Sequence, residues 1–186
     1  PRRAVEALKH KTLDDLLRSP DERVELIGGE IVRRPMARFA RGRAQNRTAL
    51  ALGAFDEADG NGGGRRLATE VSVAYEPHEC PSHDIAGWRQ ERLPCPPDGV
   101  IDLPPDWVCE IVSPGHEKND TPVLPLLLKR HRAPYYWLIW PEERVLVADA
   151  PDEGDWRTIA TLKGRDRARI PPFKAVELDL DRPAWR

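Results

Sequence analysis

The sequences HDIAGWR (residues 83–89) and DWVCEIVSP (residues 106–114) decide the fold prediction, because each sets one acid beside or inside a short apolar, strand-like run. Asp84 begins the first apolar run and Glu110 lies inside the second. A carboxylate among apolar residues is costly unless it is paired or bound to a cation. Lys118 follows in the next segment, GHEKND. Two such acids and a lysine suggest a divalent-metal site for hydrolysis. A backbone-bonded Asp84 and a Glu110 paired with an arginine are the alternatives.

Outward from these two runs, the pattern predicts one central sheet with helices around it. Alternating or continuous apolar runs rich in β-branched and aromatic residues predict strands, and apolar residues at helical spacing predict helices. The predicted strands are 67–75, 84–88, 106–112, 135–140, 144–150 and 156–162, with a hairpin over 24–32 and helices over 12–17, 43–58 and 121–132. This order predicts an α/β (α+β) fold with a central mixed β-sheet flanked by helices.

Length and charge set the class of protein. A chain of 186 residues suits a single domain over residues 1–186. Its formal net charge of -2 gives no global basic field that would indicate nucleic-acid binding. Arginines nevertheless concentrate between Arg33 and Arg47. This arginine face could grip phosphates, or it could be an ordinary charged surface.

Cysteine usage and hydropathy argue against several classes of protein. The 3 cysteines form no CxxC pair, which argues against a disulfide framework and a zinc knuckle. No apolar stretch reaches the roughly 18 residues needed to span a bilayer. The first residues lack the apolar segment of a signal peptide. We therefore expect a cytoplasmic location and no membrane partner.

The acids indicate a particular cation. Magnesium and manganese prefer hard oxygen ligands and keep several waters. Carboxylates on adjacent strands, here Asp84 and Glu110, supply such ligands, and the backbone carbonyl of Ile111 would be a natural third. The cation would neutralise charge on a phosphate and lower the pKa of a bound water. Lys118 would position that water or stabilise the phosphate.

These residues, in this order, resemble the PD-(D/E)XK nuclease superfamily, and more narrowly the restriction-endonuclease family often called Uma-two. The resemblance covers roughly residues 12 to 150. It is carried by four short segments: ELIGGE at 25–30, DIAGWR at 84–89, EIVSP at 110–114 and YWLI at 136–139.

The resemblance implies a restriction-endonuclease-like fold and hydrolysis of nucleic-acid phosphodiester bonds, expected in DNA, with Mg²⁺ or Mn²⁺ as cofactor. Position by position, Asp84 matches the first metal-binding acid of the family and Glu110 the second. Glu25, an auxiliary acid, matches a frequent acid of the family, and so does Glu30.

The chain departs from the family pattern at the lysine, because Val112 and Leu124 stand where a lysine is expected and Lys118 is the nearest substitute. His83 replaces the proline of the superfamily name, and the stretch Arg41-Gly42-Arg43 stands where the family tends to carry a histidine, at the start of the first long helix. Two hypotheses follow: an active nuclease, or an inactive nuclease-fold protein that binds nucleic acid or a protein partner through the arginine face.

The aromatic strand 135–140 allows two interpretations. Trp137 and Trp140 alternate with aliphatic residues, so the strand either fills the core or contributes to a homodimer interface.

Overall fold

A six-stranded sheet forms the centre of the protein in the computed structural model, which describes residues 10–34, 36, 38–56, 64–112 and 123–181. Strands form where the sequence is rich in valine, isoleucine and aromatic residues, as in WVCEI and YWLIW. Both of these strands are buried on both faces, which explains their continuous apolar pattern.

The described elements have the following bounds. The helices are α1 Leu13–Leu17, α2 Phe39–Leu52 and α3 Val123–Arg130, and a 3-10 turn, Gly53–Phe55, extends α2. The strands are β1 Val24–Ile27, β2 Glu30–Arg33, β3 Arg65–Ser72, β4 Ser82–Arg89, β5 Trp107–Ile111, β6 Tyr136–Trp140, β7 Val145–Asp152, β8 Asp155–Lys163, β9 Arg167–Ala168 and β10 Leu178–Asp179.

The central sheet has the strand order β3-β4-β5-β6-β7-β8. Its neighbouring strands are antiparallel except for β5 and β6, which run parallel. A parallel pair needs a crossover connection, and α3 lies in the sequence between these two strands. The predicted central mixed sheet is confirmed.

Helices cover both faces of the sheet. Ala44 and Leu52 of α2 pack in one core cluster with Trp107 and Trp137. Leu124 of α3 packs in a second cluster, against alternate side chains that point from β5 and β6 to the opposite face. The prediction that helices flank the sheet is therefore confirmed, and each face buries its own apolar set.

The aromatic strand belongs to the core. Trp137 is fully buried, and its ring lies 5.2 Å from that of Trp107 and 5.6 Å from that of Phe173, between ring centroids in edge-to-face geometry. Strand β6 is also paired on both sides, by β5 and β7. A second copy of the chain therefore cannot pair with β6, and a homodimer stays a prediction.

The first helix and the hairpin follow the sequence. Thr12 caps α1 in a capping box with Asp15, as the Thr-Leu-Asp-Asp pattern predicts. Strands β1 and β2 turn at Gly28 and Gly29, which both have positive φ angles. The hairpin joins the body of the protein through reciprocal backbone bonds of 3.1 and 2.7 Å between Leu26 and Cys80.

The long helix differs from its predicted bounds. We expected it over 43–58, but α2 begins at Phe39 and ends at Leu52. Its N-cap residue, Arg38, makes no side-chain capping bond, so the sequence carries no start signal there. None of the helices in the described ranges is long and apolar enough to cross a membrane.

Candidate functional site

The two predicted acids face each other where β4 and β5 separate. The last backbone pair of these strands on this side joins Ile85 and Cys109. One residue further along, side chains replace the ladder: the amide of Ile111 donates to Asp84 Oδ2 at 2.7 Å. In return, the amide of Asp84 donates to Glu110 Oε2 at 3.2 Å. The structure therefore brings Asp84, Glu110 and the amide of Ile111 together, and the role of these residues as metal ligands stays a prediction.

Both acids are almost fully buried, with 0% of Asp84 and 2% of Glu110 exposed. Burial raises the pKa of the Asp84 carboxyl, because the charged form loses its hydration. The neighbouring Arg41 guanidinium and the amide of Ile111 oppose that rise in pKa. The carboxylate of Asp84 is thus costly to bury and is held by specific donors.

Helix α2 supplies two donors to Asp84 from one face. Arg41 Nη2 donates to Asp84 Oδ1. One turn later, Gln45 Nε2 donates to the backbone oxygen of Asp84 at 2.7 Å and to Glu70 Oε1 at 2.8 Å. Burial is the largest single influence on Arg41 and acts to lower its pKa, but the charge and hydrogen bond of Asp84, together with the charges of Glu70 and Glu110, outweigh burial and raise the pKa.

Glu110 is held by a buried chain of polar groups. His83 Nδ1 lies 2.6 Å from Glu110 Oε1, and His83 Nε2 lies 2.8 Å from the Tyr75 hydroxyl. Burial, and secondarily the charge of Arg34, lowers the pKa of His83 to about 3, so its ring is neutral near pH 7. A neutral ring has one donor nitrogen, so we assign Nδ1–H donating to Glu110 and Nε2 accepting from Tyr75.

These contacts explain why position 83 is a histidine, where the PD-(D/E)XK motif has a proline. The imidazole contacts the Glu110 carboxylate and orients it.

Glu25 lies at the edge of the acid cluster. Its carboxylate accepts the amide of Ser82 at 3.2 Å, next to the start of β4. Burial raises the pKa of Glu25, while the Ser82 amide, Arg34 and Arg41 lower it. Glu30, the other acid of the hairpin, is exposed. Of the two hairpin acids, only Glu25 is thus held beside the residues that precede Asp84.

Glu70 is a site residue that sequence reasoning missed. It follows Thr69 and precedes Val71, which pair with Ile85 and His83 across the β3–β4 ladder, so it lies across from Asp84. It forms an ion pair with Arg34 and has a φ angle of 53°, which is strained for a residue with a side chain. Glu70 could have been identified from the sequence only if the register of the β3–β4 pair had been predicted.

The structure explains part of the departure from the family pattern at the expected lysine positions. Val112 and Leu124 are 1% and 4% exposed and pack together in the core cluster beneath α3. Their apolar identity is explained by that packing. Lys118 lies outside the residues that the structure describes, as does the rest of 113–122.

Within the described ranges, no group of three or more His, Cys, Asp or Glu side chains is arranged to hold a metal ion. A cation at this site would therefore rest on two carboxylates and backbone oxygen, with water completing its shell.

A family model described as "Putative restriction endonuclease", Uma2, matches residues 11–181 of the chain. The protein belongs to the Uma2 family. The match includes the hairpin, both acids and the whole central sheet. It confirms the family that the four short segments of sequence indicated.

A solved structure shows the same fold. A "putative nuclease belonging to DUF820" from Anabaena variabilis ATCC 29413 superposes with a TM-score of 0.74 at 22% sequence identity, over 91% of this chain and 94% of the other. A search of curated proteins found no match. At this identity the structural likeness establishes only that the Uma2 chain shares the fold of that protein.

Proposed function

We propose that this Uma2 protein is a metal-dependent endonuclease of the PD-(D/E)XK type, which hydrolyses phosphodiester bonds in nucleic acid, with DNA as the expected substrate. The main observation that supports this proposal is the pair of buried carboxylates, Asp84 and Glu110, that face each other where β4 and β5 separate. Membership of a family described as restriction endonucleases supports the reaction class.

The donor set fits a hard divalent cation. Each of the four carboxylate oxygens of Asp84 and Glu110 accepts one protein N–H group. A carboxylate oxygen has two acceptor sites, so a hydrogen bond to each oxygen still leaves capacity for a metal bond. Asp84, Glu110 and the carbonyl of Ile111 would hold Mg²⁺ or Mn²⁺, which keep several waters and need few carboxylates.

A bound cation would neutralise phosphate charge and lower the pKa of a bound water. The residues of the chain would do the positioning. His83 fixes one oxygen of Glu110, and the Ile111 amide fixes one oxygen of Asp84. Glu25 would act as an auxiliary acid beside the site, and Lys118 would orient the water or the phosphate.

The test is divalent-dependent cleavage of plasmid DNA by Asp84→Asn and Glu110→Gln proteins. Each amide keeps one oxygen that can accept the neighbouring backbone N–H, but its NH2 group faces the second donor, Arg41 or His83. Circular dichroism of each variant therefore first verifies that it folds, and the cation then loses a charged ligand. We expect cleavage in Mg²⁺ or Mn²⁺ to fall by at least about 100-fold, of the order seen when one strong transition-state contact is lost.

Asp149→Asn is the matched control, because Asp149 is a surface acid of β7 that contacts Thr158 far along the sheet from β4. It should leave cleavage unchanged. Cleavage that persists in both site variants, or that ignores removal of divalent ions by a chelator, would reject the proposal.

A second candidate function is binding without cleavage. It is favoured by the buried Val112 and Leu124 at the expected lysine positions. An inactive protein would bind DNA through the arginine face between Arg33 and Arg47. Its affinity would then fall steeply with salt, and the slope of log K against log salt would lose about 0.9 for each phosphate-contacting arginine neutralised. Loss of cleavage in Lys118→Ala would favour the enzyme instead.

A further inference from the structure

Arg41 already places a positive charge next to Asp84, where the proposed divalent cation would bind. Arg41 donates from Nη2 to Asp84 Oδ1, in an ion pair with 14% of the Arg41 side chain and none of the Asp84 side chain exposed. A buried carboxylate without a partner is strongly destabilising. Arg41 therefore supplies the counter-charge that Asp84 needs when no cation is bound.

Helix α2 holds Arg41 in this place. Ala44 and Leu52 anchor the helix in the core, and Gln45 ties it to the backbone oxygen of Asp84. The guanidinium is thus presented to Asp84 by a packed helix and not by a loose surface side chain.

Arg41 also feels the negative charges of Glu70 and Glu110, but its side-chain hydrogen bond goes to Asp84. A divalent cation on Asp84 would stand next to the guanidinium in a poorly hydrated site, where two positive charges repel strongly.

We propose that Arg41 is a built-in competitor of the divalent cation, and that the cation binds only as the guanidinium leaves Asp84 Oδ1. Arg41 thereby sets the affinity of the site for its metal: it stabilises the metal-free protein and weakens metal binding. This inference rests on the proposed metal site.

Calorimetric titration of Mn²⁺ into the folded protein at fixed ionic strength tests this competition without any need for activity. Arg41→Gln should bind Mn²⁺ about 5- to 150-fold more tightly than wild type, the usual range of coupling between two competing or cooperating groups. Arg47→Gln removes the same charge from the same helix, at a described residue whose side chain makes no hydrogen bond or ion pair with Asp84. It should leave Mn²⁺ affinity within about twofold of wild type.

Thermal unfolding gives a second measurement. Without metal, Arg41→Gln should melt below wild type, because Asp84 loses its counter-charge. With saturating Mn²⁺ its melting temperature should rise by more than that of wild type, since tighter binding to the native state stabilises it more. If Arg41→Gln does not fold, Arg41→Lys, which keeps the charge but has a single donor head, should show a smaller increase in affinity.

The outcomes separate the two proposals. Equal or weaker Mn²⁺ binding by Arg41→Gln, with binding in wild type that Asp84→Asn abolishes, overturns the competition and leaves the metal site standing. Binding by Arg41→Gln alone supports the competition in its strongest form. No binding by either protein overturns both.

Discussion

At the scale of single residues, the chemistry of the site depends on how each carboxylate oxygen is held. Asp84 and Glu110 could be identified from sequence because an acid inside an apolar strand requires a partner. Their actual partners could not. Arg41 and Gln45 reach Asp84, and Gln45 also reaches Glu70, only because α2 and β3 lie against β4, and no local pattern encodes these contacts.

The buried His83 makes stability depend on pH. Its pKa is about 3 in the folded protein, against about 6.5 when unfolded, so protons bind the unfolded chain first as pH falls. The stability due to the neutral ring is complete above pH 6.5 and declines below it. From pH 7 to pH 5, the metal-free protein should lose about 2 kcal/mol of unfolding free energy through this residue.

Urea unfolding of wild type and His83→Gln at the two pH values measures that loss. Glutamine can donate to Glu110 but does not titrate, so the variant should lose about 2 kcal/mol less than wild type on acidification. Exposed His78→Gln is the control and should follow wild type. The carboxyls whose pKa is raised by burial, Asp84 and Glu25, act with the opposite sign and are present in all three proteins. An identical pH dependence in His83→Gln and wild type would contradict the assignment of a neutral buried ring.

At the scale of elements, α2 matters because it carries Arg41 and Gln45 on the face that meets the sheet. The sequence predicted a helix here but set its start four residues late, since Arg38 gives no capping signal. That difference matters for the site, because the first turn that was missed contains Arg41. By contrast, α1 was located from Thr12 as a possible cap and the acids of its first turn, which are local signals that do not depend on packing.

A substitution that moves α2 away from the sheet should therefore affect the contacts of Arg41 and Gln45 with Asp84 more than it affects the overall fold. Ala44→Leu places a larger side chain in a tightly packed position and should cost about 1–3 kcal/mol of unfolding free energy. It should also move Arg41 and Gln45 away from Asp84 and change Mn²⁺ affinity. Leu50→Gln, on the exposed side of the same helix, should stay within about 0.5 kcal/mol of wild type. The prediction fails if Ala44→Leu loses stability with no change in metal affinity.

At the scale of the whole molecule, the central mixed sheet was predictable because strands β5 and β6 have continuous apolar sequences that only an interior position explains. The order of the strands and the parallel β5–β6 pair were not predictable, since they depend on contacts between distant segments. The role of the C-terminal segment was equally hidden. Its Phe173 stacks edge-to-face on Trp107, at 4.8 Å between ring centroids, and on Phe55, at 4.9 Å.

Because Phe173 packs against these core rings, it should contribute to the stability of the whole protein, although it lies far from the two acids in sequence. Phe173→Ala should lower the unfolding free energy by about 3–5 kcal/mol, the usual cost of emptying a buried aromatic position. Denaturant unfolding followed by near-UV circular dichroism would report it through the tryptophans. Phe39→Ala removes an exposed ring of the same size and should cost no more than about 0.5 kcal/mol. Equal losses in the two variants would show that the C-terminal segment is not part of the cooperative core.

The separation of β4 and β5 has one further consequence. The amides of Asp84 and Ile111 are protected by carboxylate side chains and not by a partner strand. Their exchange with solvent deuterium is therefore tied to the charge and occupancy of the two acids, whereas the neighbouring Ile85–Cys109 pair exchanges with the sheet. Deuterium exchange at these two amides should therefore report whether the two acids are charged and whether a cation is bound to them.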